Sequence, residues 1–105
     1  KEDAMETMLA QLKTLLGERA SSFEDAYLSL LLEEAQAEAL AYTRRDDLPD
    51  GLKPVIPRMA LVMVNRSGSE GLASQGFSGV SESYLDGYPA EVQAALRRYR
   101  KLVVL

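Results

Sequence analysis

The 105-residue chain contains neither cysteine nor histidine. Without cysteine there is no disulfide framework, no thiolate metal site and no cysteine nucleophile, and the composition is compatible with a reducing compartment. Without histidine the commonest general base and the commonest transition-metal ligand are missing together, which leaves carboxylates, Lys, Tyr and Ser for any chemistry. An enzyme is therefore not expected, nor is a cofactor or a bound metal. No apolar run reaches the length of a membrane span, and the opening Lys1-Glu2-Asp3 is charged rather than leader-like, so a soluble protein without membrane contact is expected. The length suits one domain whose core is modest enough for a partner to add to its burial.

Positive charge is scarce in one half only. Residues 1–50 hold twelve acids and five bases, residues 51–105 four acids and seven bases, and the net charge is −4. An acidic surface does not wrap DNA by neutralising phosphate. It suits either solubility or a wall that DNA passes without sticking. Four of the bases, Arg97, Arg98, Arg100 and Lys101, fall in one run. They can touch phosphate or pair with acids of an adjacent subunit, and the acid-rich first half favours the second reading.

Apolar spacing predicts helices throughout. Met5, Met8, Leu9, Leu12, Leu15 and Leu16 recur at three- and four-residue steps between Asp3 and Leu16, and Gly17 follows as a stop. A second helix is predicted from about Phe23 to Thr43, capped by Ser21 or Ser22 with an acid three residues on. Its inner side is read as Tyr27, Leu28, Leu31, Leu32, Ala35, Ala39 and Tyr42, with Glu33, Glu34 and Glu38 turned outward. The run Leu28 to Leu32 is broken only by Ser29, so it either sits centrally in the core or offers a second face to another chain. After a turn from Arg44 to Gly51, with Asp47 or Asp50 as cap, a third helix runs to about Arg66 and is apolar nearly all round. Pro54 and Pro57 place its regular part after Ile56. Pro89 and Glu91 open a fourth helix with Val92, Leu96, Tyr99 and Leu102 as its buried stripe and its bases at the favourable end of the dipole. The tail Leu102-Val103-Val104-Leu105 is apolar and β-favouring, either a strand for a partner's sheet edge or an end tucked on the core.

The segment between helices three and four is the unusual part. It is rich in Gly and Ser, too long for an ordinary connection, yet it carries Leu72, Phe77, Val80, Tyr84 and Leu85, which a disordered linker lacks. A neighbouring subunit is the expected place for those side chains. Other motifs reduce to ordinary structure. Glu33-Glu34 and Asp46-Asp47 lack the loop pattern of a calcium site, and the glycines at 68, 71, 76 and 79 are not followed by the Gly-Lys-Ser/Thr of a phosphate loop. Tyr84 and Tyr88 have no basic residue around them between Arg66 and Arg97, which favours protein contact over stacking on bases.

One ordered set of residues resembles a family. Leu15-Leu16-Gly17, Ala41-Tyr42-Thr43 and Leu48-Pro49-Asp50-Gly51-Leu52 are followed by Asn65-Arg66, Gly68, Glu70-Gly71 and Ser78-Gly79-Val80-Ser81-Glu82-Ser83-Tyr84. Tyr88-Pro89 and a closing Leu96-Arg97-Arg98-Tyr99-Arg100 complete it. Taken together they resemble the head-tail connector, or adaptor, proteins of long-tailed bacteriophages and prophages; Pro54 and Pro57 depart from the smoother third helix of that pattern.

The resemblance implies an all-α fold, a small four-helix bundle with a long Gly/Ser-rich connection between helices three and four and a short extended C-terminal tail. Residues 1–105 would form one connector domain with 67–88 as an oligomerisation or docking arm. Such a subunit builds a ring, twelve-fold in the virion, beneath the portal protein. The ring extends the DNA channel and receives a stopper or tail-completion protein, while DNA passes without specific binding. Carried onto this chain, Phe77, Ser78, Gly79, Val80, Ser81, Glu82, Ser83 and Tyr84 would contact a neighbouring subunit or ring, and Leu102, Val103, Val104 and Leu105 would face the portal. Glu33, Glu34 and Glu38 would line the channel, and Arg97, Arg98, Arg100 and Lys101 would pair with acids between subunits. The protein would reside in the virion, at the head-tail interface, after assembly in the host cytoplasm. Ordering an arm costs about 1 to 2 kcal/mol per residue and lowers net affinity, so ring assembly can wait for the portal and the free protein can be either a monomer or a ring. The competing readings are a DNA-binding helical protein such as a terminase small subunit or repressor, a small enzyme, and an antitoxin-like dimer. The first needs a basic recognition helix after a tight turn, and only helix four is basic.

Overall fold

A computed structural model describes residues 4–70, Leu85 and 87–101. Those residues form four α-helices: α1 (Ala4–Leu16), α2 (Asp25–Thr43), α3 (Val55–Glu70) and α4 (Ala90–Tyr99). Two 3₁₀ segments, Gly17–Ser22 and Asp50–Leu52, join the first three, and no strand occurs among the described residues. The fold is the expected small all-α bundle. Helices α2 and α3 each pack against both α1 and α4, so they form its centre.

The predicted stripes explain this packing. Met8, Leu12 and Leu16 turn the buried side of α1 inward, whereas Leu15 is 37% exposed beside Pro54 and Pro57. Gly17 adopts φ +65°, a left-handed conformation that costs an L side chain about 1 kcal/mol or more, and α1 ends there. On α2, Leu28, Leu31, Leu32, Ala35, Ala39 and Tyr42 are buried, Tyr27 is half-buried, and Leu30 remains 51% exposed. The Leu28–Leu32 run thus meets the core on one side and solvent on the other. From α3 come Val55, Ile56, Met59, Ala60 and Val64, and from α4 Val92 and Leu96. Each fully buried Val, Ile, Leu or Met side chain among them contributes about 1.5 to 3 kcal/mol relative to exposure.

Three local expectations change. Ser21 and Ser22 do not cap α2: they belong to the 3₁₀ segment, where the Ser21 hydroxyl donates to the Glu18 carbonyl at 3.2 Å. The residue before α2 is Glu24, without a side-chain cap, and the entry is held by Phe23 stacked on Tyr27 with ring centres 5.7 Å apart. Pro57 does not disrupt α3. It is the third helical residue, and the N–H groups of a first turn have no partner within the helix, so none is lost. Pro54 precedes the helix, which therefore begins at Val55 rather than after Ile56. At its other end α3 continues to Glu70, four residues past the predicted Arg66, and takes in the first residues of the expected arm.

Candidate assembly site

The long connection re-enters the described structure through Leu85 and Tyr88, and both are buried in the subunit's own core, at 0% and 4% exposure. For Leu85 this corrects the expectation of burial against a neighbour. The Tyr88 N–H donates to the Leu85 carbonyl at 3.0 Å, closing a turn, and Gln93 Nε2 donates to the Tyr88 carbonyl at 2.8 Å. The Tyr88 hydroxyl donates to Glu38 Oε1 over a long 3.4 Å. Glu38 is accordingly half-buried, not turned outward like the exposed Glu33 and Glu34. Burial pushes its carboxyl above the ordinary carboxylate range, Tyr88's hydrogen bond opposes this, Glu34 adds to the rise and Arg66 counters it. Burial, then the nearby Glu38, likewise push the Tyr88 hydroxyl upward. Gly87 completes the corner, because a Cβ there would run into the Arg66 guanidinium.

A second corner forms where α2 and α4 end. Arg44 closes α2 with φ 61°, and its N–H and that of Arg45 donate back to the carbonyls of Ala41 and Leu40 at 3.3 and 3.1 Å. This is a Schellman closure with arginine where glycine is usual. The two side chains reach the end of α4 and the residue beyond its cap: Arg45 Nε donates to the Tyr99 carbonyl at 2.7 Å, and Arg44 Nη1 to the Lys101 carbonyl at 3.2 Å. Cations at a helix C-terminus meet the negative end of its dipole. The Lys101 N–H donates to the Thr43 carbonyl at 3.0 Å. Cation-ring contacts run both ways, with Arg45 over Tyr99 at 5.7 Å and Arg100 over Tyr42 at 4.5 Å. Gly51 lies under Tyr99, and an added Cβ would strike its hydroxyl.

In sequence, the expected contact segments adjoin these corners. Phe77, Ser78, Gly79, Val80, Ser81, Glu82, Ser83 and Tyr84, and Leu102, Val103, Val104 and Leu105, lie outside the described residues. Of the basic run, Arg97, Arg98 and Lys101 are exposed, whereas Arg100 lies past the end of α4 and folds over Tyr42. The roles of Glu38, Tyr88, Arg45 and Tyr99 were not anticipated. Their contacts join residues 50 and 54 positions apart, and the one local hint is that Glu38 stands next to the buried Ala39 on the edge of the α2 stripe.

A cleft of about 440 Å³ between α1 and the Asp50–Leu52 turn is lined by Ala4, Thr7, Met8, Gln11, Asp50, Lys53 and Pro54, and its acid is paired with its base at 3.0 Å. Among the described residues there is no group of three or more acids able to hold a metal, and no helix long and apolar enough to cross a membrane.

Comparison with known proteins places these features in a family context. The family model described as "Phage gp6-like head-tail connector protein" matches residues 6–100. No curated protein and no solved structure matches the chain.

Proposed function

The chain belongs to the phage gp6-like head-tail connector family, a structural component of the virion, and on that premise we propose that it forms a ring beneath the portal. In this reading the ring lengthens the DNA channel and joins the portal above to a stopper or tail-completion protein below. The match across residues 6–100 carries the proposal. The two corners support it, because each fixes the root of a segment proposed for contact. Leu85 and Tyr88 bury one root, and the Lys101–Thr43 bond holds the other. In this proposal residues 77–84 serve a neighbouring subunit or ring while the bundle keeps its own core, and residues 102–105 serve the portal. Two different contact regions on one subunit suit the head-to-tail interfaces of a ring.

Electron microscopy of the protein mixed with its cognate portal tests this, with added ring density at the narrow end of the portal as the expected result. Absence of a ring under assembling conditions overturns the proposal. Deleting residues 78–84 is expected to leave thermal unfolding nearly unchanged while abolishing incorporation into heads. A large loss of stability would instead assign the segment to the subunit's own core.

A further inference from the structure

Two exposed helix faces of this subunit carry opposite charge at corresponding places, acids midway along α2 and bases at the end of α4, while the acid in the first turn of α4, Glu91, is paired with Arg58 at 3.6 Å. Along α2, Ala26, Leu30, Glu33, Ala37 and Ala41 face solvent, with Glu34 beside Glu33. Along α4, Ala90, Ala94 and Arg97 repeat the four-then-three spacing, with Arg98 beside Arg97 and Lys101 exposed just past the helix. Residues at these steps share one side of a helix. None of Glu33, Glu34, Arg98 and Lys101 has an ion pair within the subunit among the described residues. Leu30 is the most exposed large apolar side chain described, and Glu33 and Ala37 of the same α2 face line a groove of about 210 Å³ with Met5, Gln36 and Leu40.

We propose that the outer face of α2 on one copy docks against the outer face of α4 on a second copy, with Glu33 and Glu34 set against Arg97 and Arg98. The small residues Ala90 and Ala94 let the helices approach closely enough to cover Leu30. The charges select this pairing over two copies of either face, which would oppose like charges. Because the two faces differ, each copy keeps one available after docking, and the contact propagates head to tail. The assignment rests on the ring-forming reading above for its closure. It moves Glu33 and Glu34 from the channel wall, as expected from the sequence, to a subunit contact. Leu30 is the reason: an apolar side chain gains from burial against protein and gains nothing beside a solvated DNA backbone.

The absence of native cysteine makes the test direct. An Ala94→Cys chain is mixed under mild oxidation with a Leu30→Cys or an Ala37→Cys chain, alone at high concentration and, in parallel, on the cognate portal. One of the two mixtures is expected to give crosslinked heterodimer at least about tenfold faster than any chain alone, Leu30→Cys for parallel helices and Ala37→Cys for antiparallel ones. Introducing Glu33→Arg/Glu34→Arg on the α2-labelled chain should remove the preference. Adding Arg97→Glu/Arg98→Glu to its partner should restore it. No preference in either mixture, or no restoration by the paired reversal, overturns the proposal. Portal-bound rings that fail to crosslink would overturn the face assignment and leave the connector reading intact. Crosslinking of free chains that never bind portal would uphold the faces and sink the connector reading.

Discussion

The two corners that hold α4 solve one problem with different chemistry. At its start, Tyr88 is buried and its hydroxyl meets the half-buried Glu38, a group whose charge is disfavoured by its surroundings. At its end, Arg44 and Arg45 donate to backbone carbonyls, and arginine keeps its charge at any accessible pH. The first corner therefore depends on packing and on proton concentration, the second on hydrogen bonds and cation-ring contact. One short helix is thus seated by a hydrophobic plug at one end and an electrostatic clasp at the other.

Breaking the plug should have the larger effect. Tyr88→Ala removes a nearly fully buried aromatic side chain and is expected to cost about 3 to 5 kcal/mol, read as a fall in the urea midpoint. Should it cost under 1 kcal/mol, Tyr88 is not part of the core. At the clasp, Gly51→Ala puts a methyl group where Tyr99 lies, and overpacking of this kind costs about 1 to 3 kcal/mol. Adding Tyr99→Ala in the same chain should make the glycine substitution nearly neutral; equal costs in both backgrounds would rule out the proposed clash.

Two finer measurements sharpen the contrast. The Glu38 carboxyl is raised above its ordinary value of 4.5 in the folded state. The folded protein thus holds this proton more tightly than the unfolded chain, so the contribution is fully present below the ordinary value and is lost as pH rises through the folded one. Comparing urea midpoints between pH 4 and neutrality, Glu38→Gln should flatten this part of the profile, while Arg45→Ala should lower the whole profile by a nearly constant amount. The smallest effect is expected for Arg44→Gly. Relief of the left-handed conformation, worth about 1 kcal/mol, offsets the lost hydrogen bond to Lys101, and the midpoint should barely move. A loss above 2 kcal/mol would mean that the guanidinium contributes more than this single bond.

The helices were legible because burial imposes a period on the chain. Met8, Leu12 and Leu16, and likewise Leu28, Leu32, Ala35 and Ala39, stand one turn apart, and that spacing reports which side faces inward. Prolines were legible in kind but not in place. Whether Pro57 breaks a helix or opens one depends on a boundary two residues away, which propensity does not resolve. The caps failed for a related reason: Ser21 is a good cap only if the chain is extended there, and it lies in a 3₁₀ turn. The corners escaped altogether, since Tyr88 with Glu38 and Arg45 with Tyr99 are brought together only by tertiary packing.

The bond from Lys101 to Thr43 has a mechanical consequence. Tension applied to residues beyond 101 meets the contacts of Lys101 before it meets the last turn of α4. It is shared at once by the Thr43 carbonyl and by the guanidinium of Arg44, both rooted in the end of α2. A pull beyond residue 101 is therefore passed to α2, the longest helix among the described residues, through two hydrogen bonds rather than one.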